Sequence, residues 1–177
     1  THRGRQRPVV LGYKDPRAYL TNPYYLGVIA GRVAGRICGA RFTLNGQEHR
    51  LPANEGQNLL HGGAGGLSHR FWQMEQSGEA AVHLTCVSPD GENGFPGRVE
   101  FRVGVSLGSN AVTYSMRAAA DRPTPISLAQ HNYYNLAGGG DIWFHRLASP
   151  AGRHLPLDGE GIPTGAVDAA DGTRYDF

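Results

Sequence analysis

The chain has 177 residues, 40% of them hydrophobic and 18% charged, which is the composition of a globular protein with a core and excludes a disordered or fibrous one. Its formal net charge at pH 7 is +2, with basic and acidic residues intermixed, so no nucleic-acid partner is predicted. We interpret the basic opening, residues 1–7, as a frayed end and not as a nucleic-acid arm. The length suits a single domain covering residues 1–177.

Cysteine usage and hydropathy exclude several further classes of protein. Cys38 and Cys86 are far apart and not in a Cys-x-x-Cys spacing, so neither a disulfide framework nor a zinc site is predicted. This usage fits a reducing compartment, and we expect a cytoplasmic location. The sequence has no apolar run of about 18 residues that could cross a bilayer, so no membrane partner is expected. A missing N-terminus could still hide an export signal.

In chain order, the first predicted elements are short strands. Residues 9–11 and 28–30 are apolar runs of strand length. Arg41–Leu44 and residues 48–51 flank an Asn-Gly pair, which is the strongest short signal for a β-hairpin. The first third of the chain is therefore predicted to consist of strands and turns.

The strongest strand pattern lies in residues 98–107, where every second residue is apolar. A turn at residues 108–110 separates it from a second alternating run, which predicts an antiparallel hairpin. A further strand is predicted just upstream. The apolar residues of the three strands are Val82, Leu84, Cys86, Val99, Phe101, Val103, Val105, Leu107, Val112, Tyr114 and Met116.

Turn residues are abundant, with 26 Gly and 11 Pro, and no window predicts a helix longer than a turn or two. In the loop at residues 88–97 we expect Phe95 to anchor the chain to the core.

Many short strands at even spacing predict an all-β sandwich or barrel, and the lack of a repeat argues against a propeller.

Two histidines have unusual sequence surroundings. His61 precedes two glycines, which permit positive φ and could expose the imidazole in a cleft; a plain glycine turn explains the pattern equally well. His131 precedes an Asn-Tyr-Tyr-Asn run whose flat faces and polar tips suit a sugar. A buried histidine among core tyrosines is the equal alternative. Of Arg32 and Arg36, we expect Arg36 to point inward and offer its donors to a ligand.

Six blocks, taken in order, resemble the aldose 1-epimerase (galactose mutarotase) family over nearly the whole chain. One is Leu-His-Gly-Gly at residues 60–63, and another is Ser-Pro-Asp-Gly-Glu-Asn-Gly-Phe-Pro-Gly at residues 88–97. The others are residues 24–37, 71–73, 125–138 and 162–165. The resemblance implies a large antiparallel β-sandwich, here incomplete, with an open cleft for a small-molecule sugar.

The resemblance also implies roles for single residues. His131 would be the general acid that protonates the sugar ring oxygen, and His61 would orient and polarise the same region. Arg36, Tyr133 and Asn135 would bind the sugar. Neither a metal nor an organic cofactor is implied, and the protein is expected to be a monomer or homodimer.

Departures from the family pattern limit these assignments. Gly35 and Gln130 each replace an asparagine that is usual in the family. The chain ends at Phe177, before the region in which the family carries its catalytic glutamate, so we expect it to be part of a longer protein. Three carboxylates could be considered as substitutes for that base, although none fits well. They are Asp90, Glu92 and Glu160.

Two functions follow from the sequence. The first is a mutarotase that interconverts the α and β anomers of free hexoses such as glucose or galactose by acid–base ring opening. The alternative is a non-catalytic carbohydrate-binding or regulatory module of the same fold. Epimerisation of a phosphorylated hexose is less well supported, because no basic cluster near the histidines could receive a phosphate.

Overall fold

The structure is a computed structural model that describes residues 7–177, so most of the basic opening lies outside the described residues. The described chain forms twelve strands and four short 3₁₀ helices. None of its helices has the length and apolar character needed to cross a membrane. The 3₁₀ helices are Pro16–Leu20, Cys38–Ala40, Leu67–His69 and Glu92–Gly94. The strands are β1 (Ile29–Ala30), β2 (Arg36–Ile37), β3 (Arg41–Leu44), β4 (Gln47–Arg50), β5 (Leu59–Leu60), β6 (Gln73–Gln76), β7 (Ala81–Ser88), β8 (Val99–Leu107), β9 (Val112–Ala120), β10 (Ala129–Gln130), β11 (Arg153–His154) and β12 (Asp168–Ala169).

The described residues fall into two compact units. The larger is Gly12–Asn132 and contains β1 to β10; the smaller comprises the described residues up to Leu11 together with Tyr133–Phe177. In the smaller unit β11 pairs with β12, and Val10 forms an isolated bridge with Tyr134. The expectation of one domain over residues 1–177 stays a prediction.

The largest sheet of the larger unit is an antiparallel meander, β6-β7-β8-β9. Its centre is β8, which pairs with β7 from Ser88↔Val99 and with β9 as far as Leu107↔Val112. The three strands predicted from period-two alternation are confirmed. The pattern is clearest on β8, where Val99, Phe101 and Val103 are buried on one face and residues of the other face are more exposed.

Two small hydrophobic clusters form the core of the larger unit. One consists of Ala40, Leu51, Leu59 and Phe95, and the other of Leu67, Cys86, Val99 and Phe101. Phe95 is 1% exposed, which confirms that it anchors the loop between β7 and β8. This loop is therefore fixed to the same core that supports β5.

The short strands meet the sequence predictions to different degrees. The hairpin of β3 and β4 is confirmed, and its turn residues Asn45 and Gly46 have φ values of 51° and 79°, as a type I′ turn requires. The apolar run at residues 28–30 contributes β1. The run at residues 9–11 was wrongly predicted as a strand, because it pairs through the single bridge of Val10.

Replacement of Phe101 by alanine should destabilise the protein strongly, because this side chain is 0% exposed at the centre of the sheet. We expect a loss of about 3–5 kcal/mol in the free energy of unfolding, measured by urea denaturation. Leu107→Ala on the same strand is the control, since Leu107 is 61% exposed and its loss should cost no more than about 0.5 kcal/mol. Equal costs for the two variants would contradict this assignment of the core.

Candidate active site

His61 directly follows β5, where it faces Gly35, the residue just before β2. The His61 N–H donates to the Gly35 carbonyl at 3.0 Å, and the Gly35 N–H donates to Nδ1 of His61 at 3.1 Å. A backbone N–H can only donate, so Nδ1 must be the unprotonated nitrogen of the ring. The neutral imidazole therefore carries its proton on Nε2.

The backbone at His61 enters a run of left-handed residues. His61, Gly62 and Gly63 have φ values of 52°, 84° and 85°. The two glycines adopt this conformation freely, whereas His61 pays a steric cost for it. Gly62 is also pressed against other backbone, since a Cβ there would overlap the Gly31 carbonyl. This turn is thus shaped by close backbone approach as well as by φ.

His131 follows β10 and is held by the pairing of that strand with β1. Its N–H donates to the Val28 carbonyl at 2.9 Å, and its carbonyl accepts from the Gly27 N–H at 3.2 Å. The imidazoles of His61 and His131 meet with their ring centroids 5.2 Å apart and their planes at 84°. The structure therefore brings together the two histidines that the sequence singled out.

Tyr25 completes an aromatic cluster that sequence reasoning missed. Its ring centroid lies 4.8 Å from that of His61, 5.8 Å from that of His131 and 6.0 Å from that of His69. Burial, together with the charge of Glu55, raises the pKa of the Tyr25 phenol. Tyr25 therefore stays protonated at neutral pH, and its ring lies beside both imidazoles.

Arg36 on β2 is paired with a carboxylate that the sequence did not indicate, that of Glu55. Arg36 Nη2 donates to Glu55 Oε1 at 2.8 Å, and Arg36 Nε donates to Glu55 Oε2. The two side chains are 29% and 38% exposed. The hydrogen bonds from Arg36 lower the pKa of Glu55, so this carboxylate is ionised but a weak base. The predicted sugar-binding role of Arg36 stays a prediction.

The pKa of His61 is lowered from its ordinary value of 6.5. Burial is the main cause, the charges of His131 and Arg36 act in the same direction, and Glu55 opposes them. Unfolding would therefore add a proton to His61 at pH values between its lowered pKa and about 6.5. Over that window the contribution of His61 to stability increases as the pH rises.

Arg32, not Arg36, is the more deeply buried arginine of this segment, being 2% exposed. Burial lowers the pKa of its guanidinium, and the nearby acidic side chains, Glu92 first, act in the opposite direction. Each of its five N–H groups has an acceptor within the larger unit. The acceptors are Ser88 Oγ and Pro96 O at 2.9 Å, Thr124 Oγ1 at 3.3 Å, Ser88 O at 3.2 Å and Pro89 O at 2.8 Å.

The other predicted sugar-binding residues, Tyr133 and Asn135, belong to the smaller unit. Asn135 is 7% exposed, and its amide is used within its own loop. Its Nδ2 donates to the Gly140 carbonyl at 3.0 Å, and its Oδ1 accepts from the Ala137 N–H at 3.0 Å. Tyr133 is 40% exposed. Their participation in a sugar site stays a prediction.

Two of the three carboxylates considered as bases are engaged in the loop between β7 and β8. Asp90 accepts from the Gly97 N–H at 2.6 Å and from Arg122, and these bonds lower its pKa. Glu92 is bonded to Arg70 and to the Ser88 hydroxyl. Glu160 is exposed in a turn of the smaller unit. In residues 7–177, no group of three or more His, Cys, Asp or Glu side chains could hold a metal ion.

Comparison with known proteins decides the family. The family model described as aldose 1-epimerase matches residues 1–177. The chain belongs to the aldose 1-epimerase family. It is 39% identical over 176 residues to galactose mutarotase from Rattus norvegicus and 39% identical over 175 residues to aldose 1-epimerase from Haemophilus influenzae. These alignments cover 98% and 97% of the chain, and 51% of each relative.

A solved structure supports the same fold. A crystal structure of a GalM/aldose epimerase homologue from C. elegans matches with a TM-score of 0.90 and 28% sequence identity. The match covers 96% of this chain and 52% of that one. The prediction of an all-β fold of the galactose mutarotase type is confirmed. The chain spans about half the length of the epimerase-family relatives that it matches.

Glu55→Gln should lower the pKa of His61 further, because the substitution removes the negative charge that opposes the other effects on this imidazole. The measurement is an NMR titration of the His61 Cε1–H resonance against pH. Glu48→Gln is the matched control, since Glu48 forms an ion pair with Arg50 at 2.8 Å on β4. An unchanged or raised His61 pKa in the Glu55 variant would contradict the electrostatic account.

Arg32→Lys should destabilise the protein even though it keeps the charge, because lysine has three donors and lacks the planar fork. At least two buried acceptors would lose their partner, at about 1–3 kcal/mol each in the free energy of unfolding. Arg102→Lys is the control, because Arg102 is 68% exposed in its pair with Glu100. Chemical denaturation of both variants measures the difference, and comparable small losses would refute the structural role of Arg32.

Proposed function

We propose that this chain supplies the histidine side of an aldose 1-epimerase site that acts on free hexoses. The observation that supports this most directly is the contact of His61 and His131, whose ring centroids are 5.2 Å apart although they lie on different strand pairs. His131 is the general acid that gives a proton to the sugar ring oxygen. His61, with its proton on Nε2, donates a hydrogen bond to the same region.

In the proposed reaction, a carboxylate accepts the proton of the anomeric hydroxyl while His131 protonates the ring oxygen. The bond between C1 and the ring oxygen breaks and leaves an open-chain aldehyde. Rotation about the C1–C2 bond then turns the other face of the aldehyde towards the hydroxyl formed from the ring oxygen. Attack of this hydroxyl on C1, with the two protons returned to the carbonyl oxygen and to His131, gives the other anomer. Each positioned proton transfer is expected to contribute about 10²–10⁴-fold to the rate.

The base in this scheme is not one of the carboxylates described above. Asp90 is bonded to the Gly97 N–H of its own loop, and Glu92 and Glu55 are paired with Arg70 and Arg36. The family resemblance implies a glutamate that follows the region covered here. We further propose that the protein works in the cytoplasm without a metal or organic cofactor, as a monomer or homodimer.

Carbohydrate binding without catalysis is the second candidate, and the Arg36–Glu55 pair favours it. The pair lowers the pKa of Glu55, which makes this carboxylate, whose charge acts on His61, a weak base. Such a module would bind a hexose saturably and leave its anomerisation rate unchanged.

Two measurements on the native protein distinguish these candidates. One is its mass, and the other is the rate of mutarotation of α-D-glucose and α-D-galactose, followed by polarimetry. A mass well above 19.0 kDa with fast equilibration supports the epimerase. Saturable hexose binding without acceleration supports the binding module and refutes the epimerase.

His131→Gln in the native protein should slow mutarotation by about 10²–10⁴-fold, because glutamine cannot give a proton to the ring oxygen. His83→Gln is the control, since His83 is exposed on β7 and should leave the rate unchanged. A His131 variant that equilibrates the anomers as fast as the unsubstituted protein would show that His131 is not the acid.

A further inference from the structure

The loop between β7 and β8 reaches the turn at His61 through the side chain of Asn93. Its Nδ2 donates to the Gly62 carbonyl at 2.7 Å. The amide also lies against the glycines that follow, since a Cβ at Gly63 or at Gly65 would meet it at 3.4 Å or less. The amide therefore fits closely against this turn.

The Gly62 carbonyl is a sensitive point of the turn because its peptide group connects two left-handed residues. Gly62 and Gly63 have φ values of 84° and 85°, and glycine imposes little preference of its own on φ. On one side Gly62 is packed against the Gly31 carbonyl. On the other side, the hydrogen bond from Asn93 fixes the direction of the peptide group.

The direction of this peptide group matters for the imidazole that precedes it. The bond from the Gly35 N–H to His61 Nδ1 is 3.1 Å long, at the far end of the usual range for an N–H donor. If the 62–63 peptide were released, Gly62 could turn and shift the His61 backbone; this bond would lengthen, and Nδ1 would then be free to carry the proton. The tautomer of His61 thus depends on the geometry that Asn93 holds.

Asn93 can act in this way because its own loop is rigid. Its φ is 48°, a conformation that asparagine tolerates better than most residues. The Gly94 N–H donates to the Gly91 carbonyl and the Phe95 N–H to the Glu92 carbonyl, each at 3.0 Å. The loop is further fixed by the buried Phe95 and by the bonds from Arg32 described above.

We propose that Asn93 is a positioning residue for His61. By holding the Gly62 carbonyl, it keeps the Gly35 N–H on Nδ1 and leaves the proton of the neutral ring on Nε2, where it is available to the sugar. The use of that proton by a sugar rests on the proposed function, whereas the control of the tautomer by Asn93 does not.

The test compares Asn93→Gly with Asn45→Gly. Glycine accepts the positive φ at both positions and removes the side-chain amide. Asn45 is the control because it has a similar φ of 51° but is exposed in the turn between β3 and β4. Imidazole ¹⁵N chemical shifts tell a protonated ring nitrogen from an unprotonated one. They are recorded at about pH 8, above the ordinary pKa of histidine, so that His61 is neutral beside His131, Arg36, Glu55 and Tyr25.

We expect the unsubstituted chain and Asn45→Gly to carry the His61 proton on Nε2. Asn93→Gly should raise the ratio of the Nδ1–H to the Nε2–H tautomer by about tenfold, which corresponds to the loss of one hydrogen bond. A variant that is less stable but keeps the unsubstituted tautomer ratio overturns the proposal, because it shows a purely structural role. An Nδ1–H tautomer in the unsubstituted chain overturns it as well.

Asn93→Asp is the second variant, for use if the glycine variant does not fold. Aspartate keeps the shape of the side chain and tolerates the left-handed conformation, but its ionised carboxylate has no donor for the Gly62 carbonyl. It should also shift the tautomer ratio towards Nδ1–H, and an unchanged ratio overturns the proposal.

Kinetics of the native protein connect the tautomer to the proposed reaction. Asn93→Gly should lower kcat for mutarotation by about tenfold and change KM by less than about twofold, the pattern of an interaction used in the transition state. A shifted tautomer ratio with unchanged kcat supports the positioning of His61 but removes its role in the epimerase site. An unchanged tautomer ratio refutes the positioning even if mutarotation is fast.

Discussion

The site depends on the burial of one charged group, the guanidinium of Arg32. Removing this group from water is costly, and the cost is offset because all five of its donors meet oxygen acceptors. Four of these five acceptors are on Ser88, the last residue of β7, or on Pro89 and Pro96 in the loop that follows it. The arginine therefore fixes a stretch of chain that has few apolar residues of its own. Phe95 and Asn93, which connect this loop to the core and to the histidine turn, can act only because the loop is held.

The fold was predictable where a pattern in the sequence has a local physical cause. Alternation marked β7, β8 and β9, because each pairs with its neighbour in sequence and β8 buries one face. The Asn45-Gly46 turn marked the first hairpin for a similar reason. The two-residue strands β1, β2, β5 and β10 are too short for any pattern, and they pair with partners far along the chain. The arrangement of these short strands in the fold was predicted from the family resemblance and not from periodicity.

The site was predictable only in part. His61 and His131 stand out by their neighbours in sequence, but Tyr25, Glu55 and Asn93 do not. Their relevance comes from contacts across many residues, such as the pairing of Arg36 with Glu55 over 19 positions and of Asn93 with Gly62 over 31. The burial of Arg32 was not predicted, for the same reason. Two arginines four residues apart look alike in sequence, and burial distinguishes them only when the acceptors of distant loops are in place.

The ion pair of Arg36 and Glu55 has a consequence for how a ligand would be recognised. Because the two charges largely cancel, the region around the histidines exerts little long-range attraction on charged solutes. A neutral ligand would be selected at short range, by the directions of hydrogen-bond donors and acceptors. Its encounter with the protein should then vary little with ionic strength, unlike the association of proteins that steer charged partners towards them.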